Sequence, residues 1–256
     1  HNSAGAGKNF VISNLASGTE VTLGTASDEF DDQAVDINLA DATGSSDTVT
    51  INLVDTDAAS STATIDVDGI ETVNLKLADS AEVHKVDIDH NGTGGAKLVV
   101  TGDHTAADLT IAALEAGITT IDASGLKGFL KLASTARGSD AMNITTGEND
   151  DTVAMENKND VLDAGEKTGD NDTLEVVATG AGGSIIVDLS ATADQVVMFN
   201  GLAEANVQTG FESVNLAGYT QANSVGADVT GSDDANTITG TDYVDVINGG
   251  KGNDII

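Results

Sequence analysis

The sequence predicts an all-β chain wound as a parallel β-solenoid, and three observations carry that reading. Short runs that alternate apolar with polar residues recur every ten to twelve residues over most of the chain. Near the C-terminus, and again in the middle, the interval tightens to nine. Proline and cysteine are absent from all 256 residues, so every backbone N–H can join a ladder and no disulfide is available.

In chain order the alternating runs are TVTINL (48–53), TIDV (64–67), TVNLKL (72–77), KVDID (85–89), KLVVT (97–101), LTI (109–111), ITTID (118–122), FLKL (129–132) and MNIT (142–145). A second train follows at TLEVV (173–177), IIVDL (185–189), VVMF (196–199), NVQ (206–208) and SVNL (213–216). Gly, Asn, Asp and Ser fill the gaps, and such regular spacing fits stacked coils better than a sandwich. Residues 105–117, TAADLTIAALEAG, carry good helix formers and a closing Gly and form the one helix candidate, although LTI within them also fits the strand train. GIETVNLKL (69–77) and GFESVNLAG (210–218) share Gly, Glu, Val, Asn and Leu; the Asn either forms a ladder, caps a turn or faces solvent.

Composition sets the outer bounds. Hydrophobic residues make up 39% of the chain, but with five Phe, two Tyr and no Trp the core must be thin and aliphatic. Ten Lys and Arg stand against 42 Asp and Glu, a net charge of -32, which excludes nucleic acid as a partner. A chain this acidic repels itself unless something positive is added, and divalent cations are the leading candidates; a halophile's solvated surface is the alternative. There is no run of about 18 apolar residues and no basic-then-apolar leader, so neither membrane insertion nor a Sec-type signal is expected. The repeat is cut at both ends, and the chain reads as a piece of a longer protein.

The nine-residue period is best seen backwards from the C-terminus. With Gly249 as position 1, GGKGNDII (249–256) places Asp254 at position 6 and Ile256 at position 8. GTDYVDVIN (240–248) puts Gly240, Asp245 and Ile247 in the same places, and GSDDANTIT (231–239) puts Gly231, Asn236 and Ile238 there. A worn unit, ANSVGADVT (222–230), keeps only Val229. In mid-chain Ile144, Val153 and Leu162 are nine apart, as are Asp151 and Asp160, with Gly147 and Asn149 at positions 2 and 4. The next Asp-x-Leu, at Asp172, arrives twelve residues on, an insertion around residues 166–169, and GSSDTVTI (44–51) is a looser relative containing Asp47.

An apolar residue every nine points one short strand per half turn into a narrow core, while Gly at the corner permits positive φ. An Asp two residues earlier aims its carboxylate at the neighbouring turn. Carboxylate and carbonyl oxygens converging at about 2.3–2.6 Å suit Ca²⁺.

GGKGNDII resembles the glycine-rich nonapeptide of the repeats-in-toxin (RTX) proteins, through Gly249, Gly250, Gly252, Asp254 and Ile256. The resemblance implies a parallel β-roll in which the Asp side chains and the carbonyls of positions 1 and 3 bind calcium. Carried over, it assigns Asp151, Asp245 and Asp254, with the carbonyls of Gly240, Asp242, Gly249 and Lys251. Gly231, Asp233 and Asn236 are the matching positions of the earlier unit; Asp47, Gly147, Asn149, Asp160 and Asp172 complete the candidate set. The chain departs from the pattern at Asn236, which replaces Asp, and at Asp234 and Tyr243, which replace the position-4 Gly.

Joined to these turns, units such as GSSDTVTINL and GITTIDASGLKG resemble the lattice-forming portion of calcium-dependent surface-layer proteins of Gram-negative bacteria. That resemblance implies a secreted, non-enzymatic protein exported in one ATP-driven step. It also implies self-assembly into an extracellular surface layer, with copies of itself as partners and a cell-surface glycan held by regions outside these residues. The stalk of a large RTX adhesin, or the carrier region of a secreted RTX enzyme, are the alternatives. The expected organisation is a β-solenoid over residues 1–136, RTX-like turns and solenoid over 137–221, and β-roll over 222–256.

Catalytic signatures are missing. The four histidines, His1, His84, His90 and His104, form no H-E-x-x-H, and no G-x-S-x-G occurs. SAGAGKN (3–9) and NGTGGAK (91–97) lack the spacing and the Ser or Thr of a phosphate loop and read as glycine-rich turns. His84, His90 and His104 are either a weak metal site or surface residues. Asp28, Glu29, Asp31 and Asp32 are either one more calcium site or a solvated loop. Carboxylate pairs such as Asp150 and Asp151 lack the aromatic platform a sugar-cleaving site needs.

Overall fold

In most of the described strands Val, Ile or Leu alternate with Thr, Asn, Asp or Lys, and the apolar set turns inward. The computed structural model describes residues 9–24, 33–54, 62–78, 83–91, 95–115, 117–132, 140–165, 169–180, 182–204, 206–221 and 225–256. It has two units: His1–Asp140 with Thr146–Glu148, and Ala141–Thr145 with Asn149–Ile256.

The first unit contains β1 (Asn9–Leu15), β2 (Thr19–Leu23), β3 (Ala34–Leu39), β4 (Thr48–Leu53), β5 (Ala63–Asp66), β6 (Thr72–Leu77), β7 (Val83–Asp89), β8 (Ala96–Gly102), β9 (Asp108–Leu114), β10 (Ile118–Leu126) and β11 (Leu130–Leu132). Odd-numbered strands lie side by side in one parallel sheet and even-numbered strands in another. Each coil therefore holds two strands, and the ten-to-twelve-residue spacing is half a coil. Val49 pairs with Val73 and Val73 with Leu98, steps of 24 and 25 residues. These residues are fully buried, as are Ile51, Leu75 and Val100 in the next inward row.

The outward row of the even sheet is Thr22, Asn52, Lys76 and Thr101. On the odd sheet Asp36, Asp66 and Asp89 are stacked in register. Burial, and then the carboxylates of Asp68, Asp89 and Asp36, push Asp66 up to about 6.

The described residues among 105–117 are not helical. Leu109 and Ile111 point inward and β9 is clamped between β7 and β11, so tertiary pairing overrides the helix formers. The surplus residue is absorbed as a register shift, Val86 pairing with Ile111 but Asp87 with Ala113.

The second unit contains β12 (Asn143–Thr145), β13 (Thr152–Met155), β14 (Val161–Asp163), β15 (Thr173–Val176), β16 (Ala178–Gly180), β17 (Ile185–Asp188), β18 (Val196–Phe199), β19 (Leu202–Ala203), β20 (Gln208–Thr209), β21 (Ser213–Asn215), β22 (Tyr219–Gln221), β23 (Ala227–Thr230), β24 (Ile238–Thr239) and β25 (Val246–Asn248). Within it run the orders β13-β15-β21-β24, β12-β14-β20, β16-β22 and β19-β18-β17-β23-β25. Here the nine-residue period becomes coil geometry. Ile144 pairs with Leu162 and Val229 with Ile247, each 18 residues on, so two nonapeptides make one coil. Val153, midway between Ile144 and Leu162, lies in the other sheet, on Leu174.

Between β15 and β21 the winding is broken. Leu174 pairs with Val214, forty residues later, and the intervening chain includes the only antiparallel pairs among the described strands, β17 with β18 and β18 with β19. Asn200 and Gly201, at φ 54 and 73, make the two-residue turn before β19. Tyr219 anchors the turn: its hydroxyl donates to the Gly183 carbonyl at 3.0 Å and accepts the Asn200 N–H at 3.1 Å, and Phe199 meets its ring edge-on.

Candidate metal centre

The residue that precedes each strand decides the chemistry of the coil edge. In the second unit Thr152, Thr173 and Ser213 pair in sequence, Val214 pairs with Ile238, and Thr237 bridges Ile255. The residues just before them, Asp151, Asp172, Glu212, Asn236 and Asp254, therefore form one column. Side chains in the column serve backbone one coil away. Asp172 Oδ1 accepts the Asp151 N–H at 2.6 Å, Glu212 Oε2 accepts the Asp172 N–H at 2.8 Å, and Asp254 Oδ1 accepts the Asn236 N–H at 3.1 Å. Asn236 Nδ2 donates to the Glu212 carbonyl at 2.8 Å. The first unit uses the same device, with Glu71 Oε2 accepting the Asp47 N–H at 2.8 Å and Asp108 Oδ1 the Phe129 N–H at 2.9 Å.

Three carboxylates crowd one level of this column. Asp170, Asp172 and Glu212 each offer an oxygen, and these oxygens lie within 4.8 Å of one another. Asp172 is 1% exposed. Burial, with added repulsion from Asp151, Glu212 and Asp170, pushes its carboxyl up to about 8, against the pull of the Asp151 N–H. Asp170 Oδ2 is shielded from solvent and makes no hydrogen bond. Asn171, between the two Asp residues, is pinned: its N–H goes to Asp150 Oδ1 at 2.9 Å and its Oδ1 accepts the Ser213 hydroxyl at 2.5 Å. An oxygen-only, polyanionic set with an unused buried oxygen suits a hard cation such as Ca²⁺; soft or nitrogen-preferring metals would find no ligand of their kind.

Asp172 belongs to the set expected from sequence, whereas Asp170 and Glu212 were not in it. A signal for Glu212 exists in the repeat: the Glu shared by GIETVNLKL and GFESVNLAG is Glu71 in one unit and Glu212 in the other, and both grip the N–H of an Asp one coil earlier.

The remaining expected residues are differently placed. Asp160 is fully buried before β14, and its oxygens take the N–H groups of Met142, Glu156 and Asn157 at 2.9, 3.1 and 3.0 Å. Asp245 takes those of Ala227 and Thr241 at 2.7 and 2.9 Å, plus the Thr241 hydroxyl. Gly231, Gly240 and Gly249 are needed for space, since a Cβ on each would strike the position-6 oxygen of its own unit, Asn236 Oδ1, Asp245 Oδ2 or Asp254 Oδ2. Positive φ falls instead on Gly250 and Gly252, at 86 and 98. Where position 4 is Asp234 or Tyr243, the hydroxyl of Ser232 or Thr241 holds the turn by accepting that residue's N–H.

Gly147 packs on the Leu126 carbonyl, Asn149 is half-buried, and Asp47 Oδ2 is shielded without a hydrogen bond. His84 and His90 are buried, the latter with Nε2 3.0 Å from the Ile70 carbonyl, and His104 is exposed. Asp28, Glu29, Asp31 and Asp32, most of residues 3–9 and residues 92–94 lie outside the described residues, as do residues 166–168 of the predicted insertion.

Position 3 is exposed. Asp242 faces solvent, and Lys251 Nζ meets Asp233 Oδ2 at 2.6 Å with both side chains about three-quarters exposed. A pair so solvated contributes under about 1 kcal/mol. Lys251→Ala is accordingly expected to leave the thermal midpoint nearly unchanged in a melting scan; a fall of several degrees would show that the ammonium holds the turn.

Fold and edge together define a parallel β-solenoid whose coils are tied by a column of acidic and amide side chains. In comparisons with known proteins the chain matches no family model, no curated sequence and no solved structure.

Proposed function

We propose that the chain is a structural, calcium-dependent segment of a secreted surface-layer-type protein, in which Ca²⁺ bridges acidic coil edges, orders the solenoid and permits copies to assemble. The observation that carries the reading is the trio Asp170, Asp172 and Glu212, which collects three carboxylates and one unused buried oxygen where the ladder alone needs fewer charges. The net charge of -32 supports it, since each bound ion relieves self-repulsion that opposes folding. Asp170, Asp172 and Glu212 would hold the ion, whose positive charge would offset theirs. Asn171 and the Asp172 N–H bond to Glu212 position the two segments.

The test is far-UV circular dichroism and negative-stain microscopy of the purified chain at neutral pH, with millimolar calcium and with excess chelator. β-Structure and ordered arrays are expected with calcium, and loss of both with chelator. Spectra and assemblies that ignore the chelator would sink the reading.

A further inference from the structure

Three segments of the second unit enclose a cavity of about 560 Å³: the link from β17 to β18, the return into β21 and the turn after β23. That is the size of a small-molecule site, roughly 300–1,000 Å³. Leu189, Ala191 and Phe211 supply its apolar lining, and Glu212, Asp233 and Asp234 bring three carboxylates to it.

Most hydrogen-bond donors of the wall are spent inside the protein. Ser190 Oγ donates to Asp188 Oδ1 at 2.6 Å, Thr209 Oγ1 to the Thr192 carbonyl at 2.9 Å, and Gln195 Nε2 to the Phe211 carbonyl at 2.8 Å. The N–H groups of Phe211, Glu212 and Ser232 go to Gln195 Oε1, the Asp172 carbonyl and Asn236 Oδ1 at 3.0, 3.1 and 2.7 Å. What the wall offers a ligand is acceptors, so an anion finds few partners and a donor-rich cation finds carboxylate and hydroxyl oxygens.

Spacing then separates a metal ion from a longer cation. Among the described residues the one group of three whose ligand atoms lie within 4.8 Å of one another is Asp170, Asp172 and Glu212; Glu212, Asp233 and Asp234 do not close up in this way. A bare ion needs oxygens converging on one point, whereas carboxylates set apart around a cavity match positive charges set apart along a chain. The protein already places an ammonium on this wall, Lys251 Nζ meeting Asp233 Oδ2 at 2.6 Å.

We propose that this cavity binds a small linear polyamine, its ammonium groups on Glu212, Asp233 and Asp234 and its methylene spacers against Leu189, Ala191 and Phe211. Lys251 then acts as an internal competitor for Asp233. The site needs no ion at the trio, so the proposal goes beyond the calcium reading and stands apart from it.

The probe is spermidine, titrated by calorimetry into the purified chain in millimolar calcium, with enough salt to screen its general attraction to an acidic protein. Saturable binding of one molecule per chain is expected. Lys251→Ala should tighten binding about threefold and Asp233→Asn/Asp234→Asn weaken it about tenfold, while Lys131→Ala and Asp103→Asn, exposed sites of the first unit, should change it under about twofold. Backbone amide shifts on the wild type, which need no variant to fold, should cluster at residues 189–192, 209–212 and 232–234.

No saturable binding, equal effects at the cavity and control sites, or shifts spread over the acidic surface overturn the proposal. Tri-lysine that binds in the same place as tightly as spermidine also overturns it, by making a polypeptide side chain the occupant.

Discussion

Asp172→Asn is expected to let the calcium-free chain keep more of its β-structure at pH 8, and to reduce the further ordering that calcium brings. The reason is the sign of the Asp172 shift. Its carboxyl is held at about 8 in the fold, against a usual value near 4 in an unfolded chain. The folded state thus binds the proton more tightly. The contribution of Asp172 to stability is greatest below about pH 4, where both states are protonated, and falls as pH rises towards 8 while the unfolded chain ionises first. Above that it levels off, with the buried charge fully unfavourable. Asp66, raised to about 6 among its stacked neighbours, acts in the same direction over the lower part of the range.

In chelator, β-structure should therefore recover as pH is lowered from 8 to 5, protons taking the role proposed for calcium. The Asn variant keeps an oxygen for the Asp151 N–H but carries no charge, so its pH profile should be flatter and its calcium midpoint higher. For a chain of this length each kcal/mol corresponds to about 2–4 °C in melting temperature, so a shift of several degrees between pH 5 and pH 8 is within reach of a scan. A variant with the same pH slope and calcium midpoint as the wild type would place the titrating charge elsewhere.

Period and alternation are local properties, and what depends on them was legible in the sequence. β4, β6 and β18 begin and end where the alternating runs do, and the nine-residue step foretold Ile144 over Leu162, because a half-coil strand needs one inward residue per nonapeptide. Long-range register was not legible. Asp172 meets Glu212 because the chain between them leaves the coil and returns with Thr173 facing Ser213, and the alternating runs continue through that forty-residue detour at much the same spacing, so nothing in their period marks the break.

The Asn-Gly pair at 200–201 did signal the hairpin turn, but a reading built on coils passes over it. The repeated Asn shows how context splits one motif: Asn74 Nδ2 reaches across to the Val49 carbonyl at 3.4 Å, while Asn215 Oδ1 caps the Ala217 N–H at 3.1 Å.

The same contrast separates two aspartates that the sequence treats alike. Asp160→Ala is expected to cost about 3–5 kcal/mol, a large share of the 5–15 kcal/mol that holds a typical domain. In the wild type its carboxylate, fully buried, is the acceptor for the N–H groups of Met142, Glu156 and Asn157. Alanine removes the acceptor of one buried donor, the Met142 N–H, and of two part-buried ones, and each buried unsatisfied donor costs about 1–3 kcal/mol. Asparagine keeps one acceptor oxygen but turns an NH₂ towards N–H groups, so it should rescue only part of the loss.

In a solenoid the damage stays near its coil, and hydrogen exchange should quicken most around β12 and β14. If the carboxylate works as a turn acceptor, added calcium cannot replace it, and the deficit in melting temperature should be the same at low and saturating calcium. A deficit that shrinks as calcium is raised would instead make Asp160 an ion ligand, since weakened binding is recovered by mass action whereas a lost hydrogen bond is not.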